Sequence, residues 1–425
     1  MMRARRIGIA LGLFSLAAAA WPFVAVSHAD DADPAVGFRR GIGVSNAMAW
    51  ARIEPGAAQK FAFPPFSDPW NTLTLEELRA LRRAGFDFVR FAVDPGPFLQ
   101  FQGMARDALD RILMDRVNLI LESGLSIIVT VFPSDMHPDY TAQALTAGSG
   151  TPLFQDYLRL IERTARLLDT FHSNKVALEL MNEPPAQPGV WQPMLEAAYG
   201  AARRRSTSLV LVLEGGEEAS AAALMAMRTG LFARDPAVLF SFHYYDPYQF
   251  THQGAPWNDA RYLADIPYPA LARPLQDSLD ATAAAIARTD LTEPQKSAAY
   301  RDAQTRLESY RRSGFDGNAI AMRFAQIADW AHAQGVPPER VMLGEFGARK
   351  PEFRLPGARA AERAQWLHDV SGAAEAHGFG WAVWTYRGVG GFALARNETS
   401  TDIEPGIAEA LGLSFRPQRK AAGAR

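Results

Sequence analysis

One arrangement of apolar and polar positions recurs along the chain: an amphipathic stretch at helical spacing, a glycine, then a short and almost unbroken apolar run. It occurs at Ala84-Gly85-Phe86 before residues 88–93, Ser123-Gly124-Leu125 before 127–132, Gln334-Gly335-Val336 before 341–345, and His377-Gly378-Phe379 before 381–384. Glycine just past a helix suits the left-handed position that ends it, and a continuous apolar run suits a parallel strand covered on both faces. Runs at 41–44, 176–181, 209–213 and 239–244 bring the predicted strands to eight. Helical stretches separate most of them, at 75–84 behind a Thr74/Glu77 capping pair, then at 109–121, 154–171, 191–204, 220–227 and 360–376. This alternation predicts an α/β fold, a single closed (β/α)8 TIM barrel. An open doubly wound sheet is the alternative, but no strand is followed by the glycine-rich phosphate loop such a sheet often carries. Between Tyr245 and Arg340 the connection is far too long. Its aromatic and proline-rich start and its helical stretches at 271–287, 293–311 and 319–333 predict an elaborated, partly helical segment between strands 6 and 7.

The bulk numbers fit one barrel: 425 residues, 48% hydrophobic and 21% charged, are enough for a large core. Arg3, Arg5 and Arg6 precede an apolar run from Ile7 to Val26, and Ser27-His28-Ala29 resembles an export cleavage site, so residues 1–29 are expected to be a signal peptide. An uncleaved membrane anchor is the alternative reading of the same run. The expected location is secreted or periplasmic, with no membrane association in the mature form. Without residues 1–29 the chain carries 41 basic and 46 acidic residues, a balance that gives no reason to expect nucleic acid. The absence of cysteine excludes disulfides and thiolate-bound zinc. Residues 416–425 form a basic tail, read as a frayed end.

Catalytic side chains of such a barrel sit at the C-terminal ends of its strands. Those ends are polar here: Arg90 in the second strand, Asn182 and Glu183 after the fourth, His243 and Tyr245 at the sixth, Glu345 at the seventh and Trp384 at the eighth. A charge in an apolar strand is costly unless paired, so an Arg90–Glu345 ion pair of purely structural purpose is the alternative. Structural pairs have no reason to gather at one end of so many strands. Two carboxylates on separate buried strands are what cleavage of a glycosidic bond requires. Other signals are weaker. Asp135, His137 and Asp139 read as a solvated loop rather than a metal site, and Glu214, Glu217 and Glu218 as a strand exit and helix N-terminus. Trp50, Trp191 and Trp257 could stack on sugars, with Trp257, in a polar loop near the expected mouth, the best placed.

The eight-strand layout, Asn182-Glu183-Pro184, His243-Tyr244-Tyr245, Gly344-Glu345-Phe346-Gly347 and Trp384 together resemble glycoside hydrolase family 5, the cellulase family of retaining β-glycanases. The segment from Phe242 to Trp257 is similar to bacterial endoglucanase-like members. The resemblance runs from about Gly41 to Trp384 and implies a catalytic domain over residues 30–415. It implies Glu183 as acid/base and Glu345 as nucleophile, with Arg90 and Tyr245 supporting the nucleophile. Asn182 would hold the sugar 2-hydroxyl, His243 would orient or tune the acid/base, and Trp384 would floor the sugar at the cleaved bond. The implied activity is endo-hydrolysis of β-1,4-glucan by a monomer without cofactor or metal. Alternatives are the same chemistry on mannan, mixed-linkage or β-1,3-glucan or a glycolipid, and a non-catalytic glycan-binding barrel. In one place the chain departs from the family pattern: a histidine usually ends the third strand, and here Phe132 stands there, with His137 five residues later. Either His137 reaches the same pocket or the pocket has changed.

Overall fold

Eight strands lie in chain order around a closed parallel barrel: β1 (Arg40–Met48), β2 (Phe88–Val93), β3 (Ser126–Val131), β4 (Val176–Glu179), β5 (Val210–Glu214), β6 (Val238–Tyr244), β7 (Val341–Phe346) and β8 (Gly380–Val383), with β8 pairing back to β1. The computed structural model describes residues 37–56, 60–68, 71–396 and 402–414. The expected signal peptide and the basic tail lie outside the described residues. Among the described residues no helix is long and apolar enough to cross a membrane.

Side chains alternate between the two faces of a strand. The inward row therefore reads directly from the register. Phe88, Ile128, Ala177, Val210, Leu239, Met342 and Ala382 form a buried apolar plug inside the barrel. Their outward neighbours, such as Val89, Ile127, Leu178, Leu211, Phe240 and Leu343, belong to the larger core beneath the helices. Two residues further toward the C-terminal end, the same inward row turns polar, with Arg90, Thr130, Glu179 and Ser241, all fully buried. The plug closes the bottom of the barrel and leaves a polar floor above it.

β7 breaks the alternation. Its pairing runs Phe242 with Leu343 and then His243 with Glu345, so β7 carries one extra residue at that point. An extra residue of this kind re-aims the side chains that follow it. Gly344 lies against β6 so closely that a Cβ there would stand 2.2 Å from Ser241 Oγ. Glycine is what the close approach allows.

The expected helices enclose the barrel. The first, Leu75–Ala84, has its capping box formed, with Thr74 N–H donating to Glu77 Oε2 at 2.8 Å and Glu77 N–H to Thr74 Oγ1 at 3.3 Å; it ends at Gly85 with φ 113°. The long connection holds the helices Leu275–Ala287, Glu293–Ser313 and Gly317–Ala333, where the pattern expected them. The short helices Gly96–Gln100, Ala142–Leu145 and Tyr248–Thr251 were beyond reach of the pattern, because four or five residues show no helical period. Beyond β5, Glu217, Glu218 and Ala219 take φ of 49°, 57° and 58° instead of starting an ordinary helix. Left-handed backbone costs an L-residue roughly 1–2 kcal/mol, so three in succession need strong bracing. At the exits of β2 and β3, Ser134 Oγ donates to Asp94 Oδ2 at 2.6 Å and Gly96 N–H to Asp94 Oδ1 at 2.8 Å.

Two outcomes follow from this packing. Gly344→Ala should destabilise the protein by about 1–3 kcal/mol, the usual range for overpacking, read as a lowered midpoint of chemical unfolding; an unchanged midpoint would contradict the close approach. Burial, partly offset by its two hydrogen bonds, pushes the Asp94 carboxyl up to about 7. Between an ordinary carboxylate pKa of about 4 and that value, the native state holds a proton the unfolded chain lacks, so stability falls as pH rises through this window. Asp94→Asn should flatten that loss. Thermal unfolding of both proteins at pH 5 and pH 8 checks it, and equal losses would count against the assignment.

Candidate active site

The polar floor is organised around Arg90, which is wholly buried. Its Nε donates to Glu179 Oε2 at 2.8 Å and its Nη2 to Glu179 Oε1 at 2.5 Å, a bidentate pair. Nη2 also donates to Asn182 Oδ1 at 2.7 Å, and Nη1 to Glu345 Oε2 at 2.7 Å. Glu214 Oε1 stands 3.6 Å away. Burial works against the guanidinium charge, but the carboxylates of Glu179, Glu345 and Glu214 outweigh it and hold Arg90 protonated. Tyr245 O–H donates to the other oxygen of Glu345, Oε1, at 2.6 Å. Burial together with the neighbouring carboxylates keeps this phenol protonated, hence a donor.

His243 joins the two sides of the site. Its Nδ1 lies 2.8 Å from Glu183 Oε1, and its Nε2 lies 2.8 Å from Glu214 Oε1, the second contact at a poor angle for a hydrogen bond and best described as an ion pair. Burial disfavours its charge, but Glu214 and Glu345 overcome this and raise the imidazole well above its ordinary value. It is an imidazolium. The acids around it are pushed apart. Burial, with Glu214 adding to it and Arg90 opposing it, raises Glu179 to about 7. Glu214 is equally buried, yet His243, Arg90 and the Glu183 N–H bring it down to about 2. For Glu345, burial and Glu183 raise the pKa against His243, Arg90 and Tyr245, and the net shift is upward.

Glu183 and Glu345 face each other across His243. One carboxylate oxygen of each and a ring nitrogen of His243 all lie within 4.8 Å of one another. The Glu345 side chain is 8% exposed, whereas that of Glu183 is 35% exposed. One carboxylate is enclosed by donors; the other is open to solvent. The same spacing could hold a divalent ion, as could Glu179, Glu214 and His243. An ion there would first have to displace the proton that the surrounding carboxylates favour on His243.

Aromatic rings stand at the exits of β1, β3 and β8. Phe132 stacks on Trp384, with centroids 5.6 Å apart and planes at 13°, and Trp50 meets Phe132 edge-on at 6.0 Å. His137 is placed elsewhere, against Phe61 and Tyr140 at 5.2 and 5.0 Å, with its Nδ1 accepting the Asp139 N–H. Of the two residues weighed for the end of β3, Phe132 is the one that meets Trp384. Trp257 is 56% exposed and connects through Phe392 to Tyr245, by ring contacts of 6.4 and 5.8 Å. Trp191 is no sugar platform: it is buried, and its Nε1–H donates to the Glu214 backbone carbonyl at 2.8 Å.

Glu179 and Glu214 escaped the sequence reading as members of this cluster. The signal was present, because each stands two residues beyond an inward-facing apolar residue, Ala177 and Val212 respectively. Reading Glu214 together with Glu217 and Glu218, as a strand exit and helix N-terminus, missed that parity.

The family model for cellulase, glycosyl hydrolase family 5, matches residues 56–389, well over half of the chain. Endoglucanase 3 of Fibrobacter succinogenes is 26% identical over 356 residues, covering 79% of this chain and 49% of the relative. Cellodextrinase A of Ruminococcus flavefaciens is 24% identical over 197 residues, covering 44% of this chain and 55% of the relative. The chain thus spans about half the length of these curated relatives. Among solved structures, Thermotoga maritima Cel5A in complex with cellobiose superposes with a TM-score of 0.61 at 19% identity, over 89% of this chain and 100% of that one, and so shares the barrel. The eight-stranded barrel, the paired glutamates at its mouth and the family match converge: this chain belongs to the cellulase family, glycosyl hydrolase family 5.

Proposed function

We propose that this chain is a retaining endo-β-glycanase that hydrolyses β-1,4-glucan by double displacement, with Glu345 as nucleophile and Glu183 as acid/base. The observation that carries the reading is the approach of the two carboxylates to within 4.8 Å around His243. Retaining enzymes hold their carboxyl groups about 5–5.5 Å apart and inverting ones about 6.5–9.5 Å, to leave room for water. Glu345 attacks the anomeric carbon as Glu183 gives its proton to the departing oxygen. Glu183 then takes a proton from water, the water oxygen attacks the same carbon, and the bond to Glu345 breaks. Arg90 and Tyr245 hold both oxygens of Glu345, which fixes its aim and stabilises it again as it leaves. Asn182, its Oδ1 occupied by Arg90, has Nδ2 left to donate to the sugar 2-hydroxyl. The imidazolium of His243 holds Glu183 Oε1, leaving Oε2 for the bond that breaks.

Trp384, backed by Phe132, offers an apolar floor for the sugar ring, and Trp257 a further stacking face toward the rim. The names Endoglucanase 3 and Cellodextrinase A favour glucan as the substrate. A structure of Thermotoga maritima Cel5A with mannotriose keeps mannan as the second reading, and the Phe132–Trp384 stack is where this chain's choice would be set. Export as a monomer, with residues 1–29 as the signal peptide, completes the proposal.

Reducing-end assays on soluble β-1,4-glucan, mannan and mixed-linkage glucan should give the fastest turnover on the first. Glu345→Ala should lower it by at least about 10⁴-fold, as loss of a nucleophile does; Glu183→Gln should lower it by about 10²–10⁴-fold, the share of general acid catalysis. Proton NMR of early product should show the β-anomer. A Glu345→Ala protein as fast as wild type would sink the mechanism, and an initial α-anomer would replace retention by inversion.

A further inference from the structure

The exit of β5 grips the exit of β4, and three of the bonds that do so come from residues with no part in the reaction described above. Glu183 itself sits in a left-handed backbone, φ 46°. Its N–H donates to Glu214 Oε2 at 2.8 Å. Just beyond, Glu217 N–H donates to Ala186 O at 3.0 Å and Glu218 N–H to Pro184 O at 3.1 Å. Both donors are aimed by the left-handed run 217–219. The approach is close: a Cβ on Gly216 would lie 2.1 Å from Ala186 O, and one on Gly215 would lie 2.7 Å from the Ala223 backbone. Strained backbone persists only where its surroundings over-determine it, and here two strained segments brace each other.

Glu214 is the part of this brace that also touches the chemistry. It is fully buried, and one of its oxygens holds the Glu183 N–H while the other faces His243 Nε2 at 2.8 Å and accepts from Ser241 Oγ at 3.2 Å. His243 in turn addresses Glu183 Oε1. Glu214 therefore reaches Glu183 twice, through its main chain and through its side chain. The nucleophile is held by different groups, Arg90 Nη1 and Tyr245 O–H. Arg90 itself stands at 3.6 Å from Glu214, outside hydrogen-bond distance, and bonds instead to Glu179, Asn182 and Glu345.

We propose that Glu214 is a positioning residue for the acid/base: its two contacts fix the left-handed backbone of Glu183 and the His243 ring that orients the Glu183 carboxyl. The inference rests on Glu183 being the proton donor to the leaving group. Loss of Glu214 should then impair the step that needs that proton and largely spare one that does not.

The test compares kcat/KM for cellotetraose, whose leaving group must be protonated, with kcat/KM for 2,4-dinitrophenyl β-cellobioside, whose leaving group departs as the anion. Glu214→Ala should lower the first by at least about thirtyfold, a part of what general acid catalysis supplies, and the second by less than about threefold. In a Glu183→Gln background, adding Glu214→Ala should change the cellotetraose value by less than about threefold, because the residue acts through one already disabled. Glu214→Gln keeps an oxygen for the Glu183 N–H without the charge opposite His243, and supplies the same comparison should the alanine variant not fold. Equal losses on both substrates, or a full multiplicative loss in the Glu183→Gln background, would overturn the positioning role. A wild-type protein inactive on both substrates would instead overturn the functional reading, and this proposal with it.

Discussion

A guanidinium with no access to water is the constraint on which the upper half of the barrel depends. Arg90 sits at the centre of the polar floor, and each hydrogen bond it makes fixes a side chain from another strand: Glu179 from β4, Asn182 from the β4 exit and Glu345 from β7. A buried charge stripped of one partner costs on the order of 3–5 kcal/mol, so the arrangement is held as a whole. The acids around it cannot all carry full charge in so small a dry volume. The structure meets this by separating them, with Glu214 pulled down to about 2 by His243 and Arg90, and Glu179 pushed up to about 7 by burial. Two cations and an uneven set of acids give a nearly balanced cluster.

The apolar plug beneath this floor does complementary work. Phe88, Ile128 and Met342 keep water from reaching Arg90 from below, and the dry interior strengthens every ion pair above them. The irregularity in β7 then brings Glu345 onto the inward face, where an unbroken strand would have left an outward residue. Fold and site are joined at that one residue.

Much of this was legible in the chain. Glycines after helices and continuous apolar runs marked the strands, because a parallel sheet covered on both faces leaves that signature. Polar endings marked Asn182, Glu183, His243, Tyr245 and Glu345, because charge is tolerated in such runs only for a reason. Glu179 was hidden inside the apolar run 176–181, although β4 ends at it, and Glu214 by a following pair of glycines and two more acids that read as a strand exit and helix N-terminus. The extra residue in β7 left no trace in the pattern, since it depends on how β6 and β7 align. The side chain that meets Trp384 also required three dimensions: Phe132 and His137 are five residues apart, and His137 packs against Phe61 and Tyr140 while Phe132 stacks on Trp384.

The stack of Phe132 on Trp384, edged by Trp50, bears on which substitutions the site tolerates. These rings come from the exits of β1, β3 and β8, whereas the charged cluster is assembled from β2, β4, β5, β6 and β7. The cleft is thus divided into a charged half, in which each group is tied to several others, and an aromatic half built on ring contacts and on the close approach of Gly43 to the Trp384 ring. Drift in the first half is penalised several times over. A substitution in the second alters ring contacts without taking a partner from any buried charge, so the reactive groups keep their bonds while the shape beside them changes.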